Sequence, residues 1–388
     1  MNNFIYENKT KVIFGKGGVK EYLRYLLDGY GDTVLLAYGG GSIRKNGVYD
    51  EVTGILTAAG KTVVEFPGIM PNPTYAKVQQ GATLARDKAV DFILAVGGGS
   101  VIDCCKIISA QAMLEGDIWE LEMDKHGTPT RFLPMGSIVT VSGTGSEMNN
   151  GAVITNEEKK IKCGMLGTAN DFALLDPSYT MSVPLTQVVS GAFDTLSHAM
   201  ETYFGKPHDR NNLSDDINET IMRGVIANIR RLLVEPGSYE VRSELMWASA
   251  MAENGILKIG KITDFQCHQM EHQLGAYTDC NHGAGLAALH PVLYRHIYKE
   301  AIPKFKRFAT QVWGIKPAGR SDEDVAAAGV EALAEFIREI GLPSSLRAMG
   351  IPEDTDLAAI AASTNLTAGC CKKLSREEVL QIFQEAMG

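Results

Sequence analysis

Asp91-Phe92-Ile93-Leu94-Ala95-Val96-Gly97-Gly98-Gly99-Ser100-Val101-Ile102-Asp103 is the stretch on which the reading of this chain turns. From Asp91 to Val96 the run is nearly continuous in apolar residues, the pattern of a strand covered on both faces. Three glycines stop it, and VIDCCKIISAQAM, from Val101, reads as a helix. Strand, glycine turn and helix start together suit an anion. The first helical amides have no partner within the helix, the dipole favours negative charge there, and glycine lets a phosphate come close. Neither G-x-G-x-x-G nor the Gly-Lys-Ser/Thr phosphate loop is present. The plainer alternative is a tight turn, with Ser100 as helix cap and Asp103 answering it three residues on.

Similar turns occur on either side. Ile138 to Val141 leads into Ser142-Gly143-Thr144-Gly145-Ser146-Glu147, a loop of small hydroxyl residues and glycines. Two such loops after strands in one half favour a dinucleotide over an ordinary Ser/Thr/Gly loop. Earlier, Thr33 to Tyr38 (TVLLAY) ends in Gly39-Gly40-Gly41-Ser42, with Arg44 and Lys45 beyond. An NAD site commonly sets a carboxylate at this strand end. Here there is none, small residues leave room for a 2′-phosphate, and two cations would attract it. The turn therefore favours NADP(H), against the alternative that Arg44 and Lys45 are only a solvated surface pair.

Lys11 to Phe14 and Thr62 to Phe66 are further strand candidates, and helical patterns run from about Tyr49 to Ala59 and from Tyr75 to Lys88. This alternation predicts a parallel sheet with helices on both faces and ligands at the carboxyl ends of its strands. After Pro184 the pattern turns helical: Gln187 to Tyr203, Asp215 to Leu233, Tyr239 to Leu257 and Val325 to Ile340 carry apolar residues at helical spacing. The expected organisation is α/β plus all-α, with a dinucleotide-binding domain over 1–180 and a helical metal-binding and substrate domain over 181–388.

The 388 residues suit two or three domains, and 45% hydrophobic with 21% charged residues supports a sizeable core. A net charge of −9 argues against a general nucleic-acid binder. The seven cysteines fit no disulfide framework and point to a reducing compartment. The first residues lack the apolar core of a signal peptide, and no run of about 20 apolar residues suggests a membrane span. The expectation is a soluble cytoplasmic protein.

The histidines of the second half are not scattered. Asp194 and His198 stand four apart, as do His268 and His272, and His282 follows a break at Gly275 and a helix start at Asn281. Residues four apart share one helix face, about 6 Å apart along the axis. One Asp with three imidazoles makes a four-ligand site for a divalent cation, Zn(II) or Fe(II). Five candidates compete for four positions, and spacing does not say whether His268 or His272 is the spare. For any one pair the alternative is a helix cap or a buried, hydrogen-bonded His. His208, His290 and His296 lack such company.

These motifs together resemble the group III, iron-containing, alcohol dehydrogenases over essentially the whole chain. The resemblance rests on FGKG, PNP at 71–73, GGGSVIDCCK at 97–106, SGTGSE at 142–147, LLDP at 174–177, the Asp194/His198 pair and H-x3-H-x9-H from His268 to His282. YGGGSIRKNGVYDEV is most similar to the bacterial NADPH-dependent butanol dehydrogenases and broad-specificity aldehyde reductases. The resemblance implies a Rossmann-like domain, a helical domain and a metal in the cleft between them, held by Asp194, His198, His268 and His282. His272 becomes the spare imidazole, on the nicotinamide side, and the candidate catalytic residue that relays a proton. The expected cofactor residues are Gly39, Gly40, Gly41, Ser42, Lys45, Asn72, Gly97, Gly98, Gly99, Ser100, Asp103, Thr140, Ser142, Thr144, Asn149, Val153 and Lys162, with Lys160 a rival to Lys162.

NAD-preferring members carry Asp where Gly39 stands, which supports NADP(H). The implied reaction is reversible hydride transfer between NADP(H) and a small primary alcohol or aldehyde of the butanol/butanal type, in a homodimer. An NAD-dependent polyol dehydrogenase is the nearest alternative. Metal-dependent hydrolysis leaves the paired glycine loops unexplained, and a metal- or nucleotide-sensing protein would bind without turnover.

Overall fold

The computed structural model describes residues 2–208 and 210–388. They fall into two compact units, each assembled from separate stretches of chain. One holds Glu7–Pro184 and Gly237–Ala250; the other holds Leu185–Pro236, Met251–Gly388 and the described residues up to Tyr6. The expected division at 180 lies close to Pro184 but assigns 237–250 and the N-terminal residues differently.

In the first unit the order is β1 (Lys11–Phe14), α1 (Gly18–Leu26), β2 (Thr33–Tyr38), α2 (Ser42–Lys45), α3 (Val48–Ala58), β3 (Thr62–Phe66), α4 (Tyr75–Asp87), β4 (Phe92–Gly97), α5 (Gly99–Ala112), β5 (Met135–Val139), β6 (Gly151–Asn156), β7 (Ile161–Leu166) and β8 (Phe172–Leu175). Six strands form one parallel sheet in the order β1-β8-β5-β4-β2-β3. The pleat explains the apolar runs. Phe92, Leu94 and Val96 enter the core on the α1/α3 face, while Ile93 and Ala95 enter that of α4 and α5. Both faces are covered, so the strands need no polar alternation. The order reverses between β2 and β4, so their glycine turns flank the switch point where such sheets bind ligands.

Two features depart from expectation. Ser100 does not cap α5: Gly98 is the N-cap residue, with no side-chain bond to the helix. Second, β6 and β7 form an antiparallel hairpin outside the main sheet. The hairpin docks on the Pro-Asn-Pro loop, with Thr155 N–H donating to the Pro73 carbonyl at 2.9 Å.

The remaining helices are α6 (Leu185–Tyr203), α7 (Leu213–Val234), α8 (Tyr239–Glu253), α9 (Gln266–Thr278), α10 (His282–Ile297), α11 (Ile302–Arg307), α12 (Asp322–Glu339), α13 (Leu357–Ser363) and α14 (Arg376–Met387). Helix α8 stops at Glu253, short of the expected Leu257, and α9 continues through Gly275 to Thr278. Asn281 does open α10, its side chain accepting from Ala284 N–H at 3.0 Å. At Gly283 a Cβ would stand 2.3 Å from the Ser190 carbonyl oxygen, so glycine is what lets α10 lie against α6. Among the described residues no helix is long and apolar enough to cross a membrane, and all seven cysteines are free.

Candidate metal centre and cofactor loops

Three helices build the histidine cluster. The buried carboxylate of Asp194 comes from the middle of α6, and His198 follows one turn later. His268 stands in the first turn of α9, and His282 is the first residue of α10. Asp194 Oδ1 lies 3.6 Å from His198 Nδ1, 3.5 Å from His268 Nε2 and 3.4 Å from His282 Nε2. Atoms 2.0–2.2 Å from a tetrahedral ion stand about 3.4 Å apart. Asp194 Oδ1, His198 Nδ1 and His268 Nε2 are buried, and none has a hydrogen-bond partner. Among the described residues the ligand atoms of Asp194, His268 and His282 all lie within 4.8 Å of one another, whereas His198 falls outside that group and meets it through Asp194. Buried polar atoms are normally satisfied, so the convergence of the three fits a shared cation.

Electrostatics point the same way. Burial alone would raise the Asp194 carboxyl, but His198, His282 and His268 outweigh it and hold it well below the ordinary range. Burial pushes His198 down. Burial also opposes charge on His268, yet Glu201 and Asp194 pull it up to about 10. Asp194, Glu201, Glu253 and Glu271 are all buried around these rings, and Lys258 pairs with Glu253 at 2.8 Å.

His272 lies one turn beyond His268, its ring centroid 6.0 Å from His268 and 5.8 Å from His282. Glu271, His272 and His282 form a second convergent group, so His282 belongs to both. The ring of Phe265, whose backbone is left-handed at φ 53°, packs 5.2 Å from His268. A bulky residue at that φ is strained, and such strain gathers at working sites. His290 lies apart from the cluster of ligand atoms; it bonds Ser197 Oγ at 2.6 Å, and burial pushes it down to about 4. His208 bonds the Phe204 carbonyl oxygen, and His296 pairs with Glu385.

In the α/β unit the glycines of the turn after β4 are required by close packing. A Cβ at Gly97 would meet Val101 at 2.5 Å, one at Gly98 would meet Val141 at 3.1 Å, and one at Gly99 would meet Thr144 at 2.3 Å. The two glycine loops therefore lie against each other, leaving the first amides of α5, at Gly99 and Ser100, at its open end. The second loop points much of its own polarity inward. Gly143 and Gly145 donate to Ser249 Oγ at 3.0 and 3.1 Å. Asp103 accepts from Ser146 Oγ at 2.5 Å and from Val153 N–H at 2.8 Å. Lys106, fully buried, donates to Ser146 Oγ, Asn149 Oδ1 and the Gly151 carbonyl, one acceptor for each of its three protons. Asp103, Asn149 and Val153, expected to meet a cofactor, thus also tie α5 to the hairpin. Thr140 is buried, its amide bonded to the Gly97 carbonyl at 3.0 Å, while Ser142 and Thr144 are half-buried.

Lys162 is buried and donates to Asn72 Oδ1 at 2.9 Å, whereas Lys160 is exposed at the hairpin turn. Of the two lysines, Lys162 is the one placed beside Asn72. After β2, Gly40, Ser42 and Lys45 are exposed and Gly39 and Gly41 half-exposed. Arg44 is committed: it bonds Tyr38 Oη and Glu65 Oε2, both at 2.5 Å, and lies 3.8 Å from the Tyr49 ring centroid. Hydrogen bonds from Tyr49 and Tyr38 hold the Glu65 carboxyl below its ordinary value. Glu65 and Ser249 were not legible as site residues. The one sits at the end of the neighbouring strand, and the other arrives from 104 residues away in sequence.

A family model described as iron-containing alcohol dehydrogenase matches residues 9–177, and one described as Fe-containing alcohol dehydrogenase family, C-terminal, matches 188–387. The chain is 40% identical to a probable NADH-dependent butanol dehydrogenase 1 of Bacillus subtilis, with all of both chains covered. It is 36% identical to the NADPH-dependent aldehyde reductase YqhD of Escherichia coli, with 90% of each covered. A solved structure named NADH-dependent butanol dehydrogenase A, from Thermotoga maritima, superposes with a TM-score of 0.94 at 36% identity, covering 100% of this chain and 99% of that one. With both halves matched and relatives of this identity spanning its length, the chain belongs to the iron-containing alcohol dehydrogenase family, in its butanol dehydrogenase and aldehyde reductase branch.

Proposed function

We propose that this chain transfers a hydride reversibly between NADP(H) and a small primary alcohol or aldehyde of the butanol/butanal type, with one divalent metal, Fe(II) or Zn(II). The observation that carries the reading is the convergence of Asp194, His268 and His282, which with His198 beside Asp194 would hold the metal. A cation bound there supplies Lewis-acid polarisation of the substrate oxygen. The chain's own work is to hold and orient. Asp194 would bring a negative charge to the metal, and the imidazoles would donate to it in their neutral form. His272, on the same helix as His268, is the proposed relay for the substrate proton. In the other unit the open amides of Gly99 and Ser100 suit the pyrophosphate, and Asn72 with Lys162 supplies a positive contact beside it.

The choice of NADP(H) rests on the turn after β2, which has no acidic residue from Gly39 to Ser42, while Glu65 is engaged by Arg44, Tyr38 and Tyr49. Lys45, exposed beside the turn, is the proposed cation for the 2′-phosphate. Relatives support a second reading. The Bacillus subtilis protein is named NADH-dependent, and a relative 30% identical over 351 residues is named 1,3-propanediol dehydrogenase. An NADH-dependent or diol-oxidising enzyme is therefore the competing proposal. A cytoplasmic homodimer belongs to the first reading, supported by the free thiols and by β1 at the edge of its sheet.

The test is consumption of NADPH and of NADH with butanal, on protein loaded separately with Fe(II) and with Zn(II). The expected result is metal-dependent turnover with kcat/KM at least about tenfold higher for NADPH, the scale of one charge-assisted contact. Gly39→Asp should reverse the preference. A Cβ there meets only the Ile69 carbonyl oxygen, at 3.3 Å, and Val101, at 3.9 Å, so the substitution fits with a small shift. Preference for NADH in the unsubstituted enzyme would overturn the cofactor assignment. Turnover of diols but not butanal would favour the competing substrate.

A further inference from the structure

We propose that Glu201 and Glu271 are positioning residues that fix the ring tautomers of His268 and His282, and so make those two imidazoles competent to hold a metal; the inference rests on the metal-site reading above. Each ring meets a different buried carboxylate through Nδ1: His268 bonds Glu201 Oε2 and His282 bonds Glu271 Oε2. An ionised carboxylate can only accept, so Nδ1 of each ring carries a proton. A metal then displaces any proton from Nε2, which is left with its lone pair. In both rings Nε2 is the atom that faces Asp194 Oδ1, at 3.5 and 3.4 Å. The opposite tautomer would point an N–H at the place a cation must occupy. The carboxylate–imidazole pair also makes the ring a more basic donor.

The two carboxylates are themselves held. Glu201 stands two turns beyond Asp194 on α6, and it accepts the amides of Cys267 at 2.7 Å and His268 at 3.2 Å. It therefore caps the start of α9 with the same group that orients the His268 ring, and the helix dipole favours its charge. Glu271 lies under α10, fully buried, where the Cys280 thiol also approaches it at 3.9 Å. Gly285 leaves the room it needs, because a Cβ there would stand 2.9 Å from Glu271 Cγ. The spacing carries no motif: Glu201 is 67 residues from the ring it orients, and Glu271 is 11 residues from its own.

The experiment measures Zn(II) affinity of the metal-free, full-length chain by competition with a chromogenic chelator, beside the melting temperature of the same metal-free samples. Gln fills the space of Glu and keeps one acceptor oxygen, but its NH2 can face the ring and turn the tautomer over. Glu271→Gln and Glu201→Gln should each weaken Zn(II) binding by roughly 10- to 100-fold. Glu271→Asp, which keeps the carboxylate, should recover part of the loss. Glu271→Gln is the cleaner variant, since Glu201 also receives the amides of α9. A purely structural role would lower the metal-free melting temperature together with affinity; a positioning role lowers affinity with that temperature nearly unchanged. Affinity within about threefold of the unsubstituted chain for both Gln variants would overturn the proposal. If His268→Ala bound Zn(II) as tightly as the unsubstituted chain, the site reading would fall first, and the proposal with it.

Discussion

Glu147 closes the second glycine loop, and its environment makes the chain's stability depend on pH. Burial pushes its carboxyl up to about 7, opposed by a backbone N–H and Lys106, with Asp103 adding to the rise. In the unfolded chain the group titrates near 4.5. Between these values the folded state keeps a proton that the unfolded state has lost. The stability associated with the protonated group is complete below about pH 4.5 and is lost as pH rises through 7, a change of about 3 kcal/mol. Glu147→Gln cannot ionise. Relative to the unsubstituted protein it should gain about 3 kcal/mol between pH 4 and pH 8. Urea unfolding at both pH values measures this, and a difference that does not change with pH would refute it.

At the scale of elements, the site depends on how closely α10 lies against α6. The carbonyl of Ser190 would be 2.3 Å from a Cβ at 283, and its hydroxyl 2.5 Å. Backbone cannot swing aside as a side chain can. Gly283→Ala should therefore cost about 1–3 kcal/mol, the usual range for forced overpacking. His282 precedes Gly283 on the same helix, so moving α10 off α6 carries one donor away from Asp194. A lower melting temperature and a weaker Zn(II) complex should appear together, whereas a fully stable variant with unchanged affinity would show that α10 can shift without disturbing the site. Glu271→Gln should weaken Zn(II) binding with the metal-free melting temperature nearly unchanged, so the two substitutions separate packing from ring orientation.

For the whole molecule, a cation held as proposed by Asp194, His198, His268 and His282 would also stabilise the native chain. Binding to the folded state alone adds about 2.7 kcal/mol at a free-metal concentration 100 times Kd. Chelation should lower the melting temperature, Zn(II) should restore it, and Asp194→Ala should abolish the difference. Differential scanning calorimetry with and without chelator decides this; an unchanged transition in the unsubstituted protein would place no metal at these residues. Fe(II) should stabilise less than Zn(II) at equal concentration, following the general order of affinities.

Strands β2 and β4 are legible because a strand buried on both faces writes itself as an apolar run, and the glycine turns because a Cβ would crowd Val101, Val141 and Thr144. Strand β5 begins at Met135, ahead of the expected Ile138, and β8 is not legible as a strand because the four residues FALL are too short a run to stand out. The helical half was legible through its 3.6-residue period, which also placed Asp194 with His198 and His268 with His272. These are local regularities, set by dihedral angles and burial within about 20 residues. Tertiary structure decided the rest. The spacing of His268, His272 and His282 cannot say which rings meet Asp194, because that depends on how α6, α9 and α10 pack. Nor can it show that Glu201 and Glu271 stand behind two of those rings. That β6 and β7 pair as a hairpin outside the parallel sheet is likewise a fact of the fold. Ser249 was hidden for a similar reason: a lone hydroxyl on a helix has no local signature, and only the fold brings it beneath Gly143 and Gly145. Periodicity is a property of neighbours along the chain, whereas a site is a property of neighbours in space, and the packing of distant helices converts one into the other.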